Sequence, residues 1–178
     1  MKKAYKIILI AAAAITAATM LSGCRDAKRD KTHASNVTEI SDSDRLSLED
    51  YRSKLFDVFK KWSAEAKSIT DGIYGEEGER LSFSEISDSI NKARDYLDEF
   101  QTFYPPKNLD KPHNAMLLAI DDEYKWLDAA EKANDSLAAN NAAAFNEATK
   151  EIGDYLNKTE FPAKILELVK AVNEETKE

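Results

Sequence analysis

Ile86, Ile90, Ala93, Leu97, Phe100 and Tyr104 recur at spacings of 4, 3, 4, 3 and 4. Only an α-helix with one buried face uses such a seam, because 3.6 residues complete a turn and every third or fourth side chain returns to the same side. Ser82-Phe83-Ser84-Glu85 ahead of it has the spacing of a capping box, and Pro105-Pro106 behind it must stop the helix.

The same period governs the rest of the chain after residue 46. Ser47-Leu48-Glu49-Asp50 opens a helix in capping-box style, and Leu48, Tyr51, Leu55, Phe59, Trp62, Ala66 and Ile69 give it an apolar face. Gly72, Gly75 and Gly78 are expected to end it in an acidic turn, glycine being at ease with the positive φ of a helix C-cap. Pro112 suits the first turn of a third helix with the stripe Leu117, Ile120, Tyr124 and Leu127, continued by alanines to Leu137. Asn140-Asn141 marks a turn. A fourth segment from about Ala142 offers Phe145, Ala148, Ile152 and Tyr155, then Ile165, Leu168, Val169 and Val172 beyond Pro162, which either kinks one helix or separates two. No segment alternates with period two over the length of a strand. The expected fold is an all-α, antiparallel four-helix bundle over residues 46–178, since short connections between amphipathic helices force neighbours to run antiparallel.

The N-terminus has a different character. Lys2, Lys3 and Lys6 precede an uncharged stretch, Ile7 to Met20, that ends in small residues, the layout of a secretory signal over residues 1–23. That stretch is shorter than the roughly 20 apolar residues that cross a bilayer. Residues 24–45 are polar, with Val37 and Ile40 as their only aliphatic side chains after Ala34, and read as a flexible stalk.

Leu21-Ser22-Gly23-Cys24 resembles the lipobox of bacterial lipoproteins, and Cys24 is the only cysteine in the chain. The resemblance implies recognition of Leu21, Ser22 and Gly23 by a signal peptidase, acylation of the Cys24 thiol, and anchoring of the protein on the outer face of a bacterial cell membrane, or on an outer membrane if the host has one. Arg25 after the cysteine is similar to lipoproteins passed outward. Two acyl chains suffice for stable anchoring. The stretch from Pro105-Pro106 through Leu109, Pro112-His113 and Tyr124 to the alanine-rich helix resembles small uncharacterised helical-bundle lipoproteins, a group that carries no activity across.

Cleavage before Cys24 would remove three of the 25 basic residues and none of the 33 acidic ones, taking the formal charge from −8 to −11. Basic and acidic residues are interspersed along every helical segment, so nucleic acid is excluded as a partner. With its cysteine committed to lipid the folded part has no disulfide and must rely on packing.

Catalytic signatures are missing. His113 is the one histidine of the expected domain, His33 falling in the stalk, and it reads as structural at a helix start, with Met116 one turn on. One histidine cannot supply the paired Glu-x-x-His motifs of a di-iron bundle, and His113 with Met116 cannot reach opposite faces of a haem iron. Asp71, Glu76, Glu77 and Glu79 lack the ligand spacing of a calcium loop, and Asp121-Asp122-Glu123 reads as an exposed helix face. No metal, no cofactor and no enzymatic activity is expected. The residues to watch for binding are Tyr74, Phe103, Tyr104 and Trp126, aromatics near loops or at the edge of the core, whereas Trp62 belongs to the core stripe. The first functional expectation is a lipid-anchored interaction or scaffold module that holds an envelope protein partner. A binder of a small envelope component and an envelope hydrolase follow in that order.

Overall fold

The computed structural model describes residues 40–75 and 81–176. It is an all-α helical bundle built from α1 (Leu48–Tyr74), α2 (Phe83–Glu99), α3 (Asp110–Ala138), α4 (Ala142–Leu156) and α5 (Phe161–Glu175). Short 3-10 turns precede α1 (Asp42–Asp44) and α3 (Lys107–Leu109). Among the described residues no helix is long and apolar enough to cross a membrane. The expected signal peptide, Leu21 to Cys24 and most of the expected stalk lie outside the described residues.

Cross-helix contacts give the directions. Lys54 meets Glu99 and Lys92 meets Glu65, so α1 and α2 are antiparallel; Arg94 binds Asp128 and Glu131 while Tyr124 donates to Asp98, so α2 and α3 are too. The fourth segment returns along α3 as two helices, with Lys132 against Glu151 in α4 and Glu123 against Thr159 just before α5. Pro162 therefore begins a helix rather than kinking one. It occupies the first turn of α5, where its missing N–H has no partner to lose.

The helix boundaries follow from local chemistry. Ser82 and Glu85 form the complete reciprocal capping box. At Ser47 only half of one forms: its Oγ accepts the Asp50 N–H at 3.1 Å, but Asp, one methylene shorter than Glu, bonds the Ser47 hydroxyl instead of its backbone. α3 ends in a Schellman motif, with the Asn141 N–H on the Ser136 carbonyl and the Asn140 N–H on Leu137, and Asn140 takes the left-handed conformation at φ 52° that this motif needs. Asn141 then caps α4.

Three expectations need correction. Gly72 does not end α1; it is buried inside the helix, and Gly75, the C-cap, has an ordinary φ of −62°. Gly78 lies outside the described residues. Tyr104 leaves the seam of α2, because the chain tightens after Glu99 and the residue before Pro105 is pushed out of helical geometry, so Phe103 takes the core position. The stripe of α3 is rotated: Leu117 and Tyr124 are half-buried, and the core face is His113, Met116, Ile120, Glu123, Leu127, Ala130 and Asn134.

α3 also carries a second stripe. Trp126, Ala129, Ala133 and Ser136 are buried at spacings of 3, 4 and 3. Asn134 reaches α2 through Phe83 O and Ser87 Oγ, and Ser136, some 200° further round at about 100° per residue, lines a groove with Ala144 and Ala148 of α4. The C-terminal half of α3 is thus covered on two sides, which its small residues permit. α4 packs chiefly on α3, meeting this side of it at Ser136, and buries only Ala148 and Ile152 of its own. α5 goes to the main core instead: the Phe161 ring sits edge-on to Trp62 of α1 at 5.1 Å and to Phe100, just past α2, at 5.9 Å, with Phe59 stacked on Trp62 behind.

Candidate functional site

The aromatics expected to bind do not share a surface. Tyr104 stands where the chain enters α1, and Tyr74 closes that helix 27 residues on, about 40 Å away at 1.5 Å per residue. Phe103 and Trp126 are buried, the first in ring contact with Tyr51 and His113, the second on the second stripe of α3. Tyr74 is half-buried, and its phenol is pushed up to about 12 by burial. Tyr104 alone offers substantial area, at 38% exposure. Asp71 is exposed and paired with Lys67 one turn back, whereas Glu76, Glu77 and Glu79 lie outside the described residues.

What the fold does bring together is buried polar chemistry at two places. At the end where the chain enters, the Arg45 guanidinium grips Asp110 with two bonds, 2.5 and 2.9 Å, and donates a third to the Pro105 carbonyl at 2.9 Å. The Leu46 N–H completes the clasp on Tyr104 O at 3.0 Å. The last residues of the polar N-terminal stretch are therefore strapped to the connection between α2 and α3. Beneath the strap, Tyr51 Oη and His113 Nδ1 lie 2.8 Å apart with Phe103 against both rings. Burial drives His113 down to about 4, against a weaker opposing pull from Asp110, so the ring is neutral at physiological pH. A neutral imidazole enclosed by aromatic rings, with its Nδ1 engaged by a phenol, serves packing; among the described residues no nucleophile or carboxylate is bonded to it.

The second place was missed by the sequence reading. Glu123 is not on an exposed face. It is 3% exposed, and its Oε1 accepts a hydrogen bond from Thr159 Oγ1 at 2.8 Å. Desolvation, partly offset by that hydroxyl and reinforced by the neighbouring Asp122 carboxylate, raises Glu123 to about 7. The same Thr159 oxygen accepts the Phe161 N–H at 3.2 Å, so one hydroxyl joins α3 to the start of α5. The spacing held the clue: a stripe read from His113 and Met116 through Ile120 to Leu127 passes through position 123.

The groove between α3 and α4 is shallow and lined by Lys132, Asp135, Ser136, Glu147 and Glu151 with two alanines, without an aromatic platform. Lys132 is tied to Glu151 across it at 2.7 Å. Among the described residues no group of three or more His, Cys, Asp or Glu side chains is arranged to hold a metal. The fold and these sites define a helical bundle with internal polar fasteners. No protein-family profile, curated protein or solved structure matches the chain.

Proposed function

We propose that this protein is a lipid-anchored extracytoplasmic helical-bundle lipoprotein whose domain acts as a protein-interaction or scaffold module. The observation that carries the reading is the N-terminal segment, where a basic start, an apolar stretch and Leu21-Ser22-Gly23-Cys24 stand in the order that lipoprotein processing requires. The Arg45 strap supports it mechanically. A tether attached upstream pulls on a clasp of three guanidinium hydrogen bonds before it pulls on α1, and the domain hangs from the Tyr104 end with its opposite end directed outward.

The character of the described sites favours interaction over the other readings. Their buried titratable groups are engaged, His113 by Tyr51 and Glu123 by Thr159, and two of the aromatics that suggested a small-ligand pocket are part of the core. The test has two arms. Metabolic labelling with a fatty-acid analogue should mark the wild-type protein and leave Cys24→Ser unmarked. Cross-linking in the native envelope should then enrich a defined partner with the tethered form only. Equal labelling of both forms would refute the anchor, and a labelled protein that enriches no partner would refute the interaction module.

A further inference from the structure

The Glu123–Thr159 pair sits at the joint between a helix that buries two of its own side chains and one that buries five. Both helices lie chiefly on α3, but α5 also sets Phe161 against Trp62 of α1 and Phe100 just past α2, whereas α4 contributes only Ala148 and Ile152 to the interior. Segments with little buried apolar surface are the first to open locally. Thr159 is the polar link that fixes the joint to α3, and its partner is a carboxyl group enclosed in the bundle.

We propose that α4 and its joint to α5 form a lid on α3 that stays shut while Glu123 is protonated and loosens when Glu123 ionises, uncovering the stripe of Trp126, Ala129, Ala133 and Ser136. A buried carboxylate is tolerated only with a compensating cation or several hydrogen bonds. The groups acting on Glu123 are the Thr159 hydroxyl from the joint and Asp122, of like charge, from α3 itself; no lysine or arginine of α1, α2, α4 or α5 among the described residues contributes. Trp62, the neighbour of Phe161 on α1, brings a neutral ring. Lifting the joint gives the carboxylate water without disturbing the aromatic wedge, which is the least costly way to hydrate it. Burial places this ionisation near neutral pH, at about 7 against an ordinary 4.5.

Amide hydrogen exchange, corrected for the intrinsic rate at each pH, tests the lid. Protection over residues 142–161 should fall about tenfold per pH unit between pH 5 and 7 and level off above, while α1 and α2 hold theirs. Glu123→Gln keeps an acceptor for Thr159 and cannot ionise, so its protection over the same segment should not change with pH. The carboxyl carbon shift of Glu123 in the wild-type protein should titrate near pH 7, where the loss of protection levels off, a measurement that needs no variant. Protection independent of pH in the wild type, an equal loss in Glu123→Gln, or titration of Glu123 in the ordinary carboxylate range would each overturn the proposal.

Discussion

Gly72→Ala should destabilise the protein although alanine is the better helix former. A methyl group built on Gly72 would lie 2.6 Å from Ile86 Cγ1 and 2.8 Å from its Cδ1. Ordinary contact begins near 3.4 Å, so Ile86 must retreat by about 0.8 Å. It is fully buried against α1, and Cγ1 is a single bond from its own Cβ, so turning the terminal methyl does not relieve the contact. Helix propensity contributes about 1 kcal/mol in favour of alanine, and overpacking a tight core costs about 1–3 kcal/mol. The net loss is up to about 2 kcal/mol, read as a lower urea midpoint at unchanged slope. Gly153→Ala is the matched control: the site is inside α4 with nothing within 4 Å of the added carbon, and it should stabilise by about 0.5–1 kcal/mol. Ile86→Ala on its own costs about 2–5 kcal/mol, and in the Gly72→Ala background it should cost about 1–3 kcal/mol less, because it removes the clash as well as the packing. Equal stabilisation at both glycines, or strict additivity with Ile86→Ala, would refute the claim that α1 and α2 touch through Gly72.

Tyr51→Phe removes the hydroxyl that engages His113 and should cost about 1–3 kcal/mol in urea denaturation, the penalty of a buried ring nitrogen left without a partner. Arg45→Gln should speed exchange of the Leu46 amide while leaving the middle of α1 protected; an unchanged Leu46 rate would show that the strap is not held by Asp110. Relative to wild type, Glu123→Gln should gain about 3 kcal/mol as pH rises from 4.5 to 7, because the wild-type carboxyl loses stability on ionising in the bundle. His113→Gln should gain a similar amount over wild type as pH falls from 6.5 to 4, since the unfolded histidine takes up a proton that the buried one refuses. Denaturant titrations at pH 4.5, 5.5, 6.5 and 7.5 check both.

The bundle was legible because its period was. Ile86, Ile90, Ala93 and Leu97 are all buried as spaced, and Ser82, Pro105, Pro112 and Asn140 punctuate the chain where local sterics demand. The sites were less legible for a physical reason. Reading α3 by hydrophobicity alone selected Leu117 and Tyr124 and passed over His113 and Glu123, polar residues on the true stripe that are satisfied by Tyr51 and Thr159, from distant parts of the chain. No local spacing encodes a partner 62 or 36 residues away. The second stripe of α3 escaped notice because alanine is common on exposed and buried helix faces alike. Its role emerges only once α4 is seen to lie along α3, with Ala144 and Ala148 beside Ser136.

The two buried titratable groups have opposite consequences, and together they conceal each other. Below pH 6.5 the histidine makes the folded state progressively less favourable as acid is added; above pH 4.5 the carboxyl does so as base is added. Between those limits the unfolded chain gains a proton at His113 while the folded chain keeps one at Glu123, so the proton difference from this pair is close to zero and its contribution to stability is flat. Wild-type stability over pH 4.5–6.5 should therefore reflect the remaining carboxylates alone, and each single variant should expose a slope the wild type lacks. Above pH 6.5 only the carboxyl continues to act, and the loss falls locally on the joint of α4 and α5 before it reaches the core held by Phe161. A double variant, Glu123→Gln with His113→Gln, should restore the flat profile between pH 4.5 and 6.5. A slope there as steep as in either single variant would show that the two sites do not offset one another.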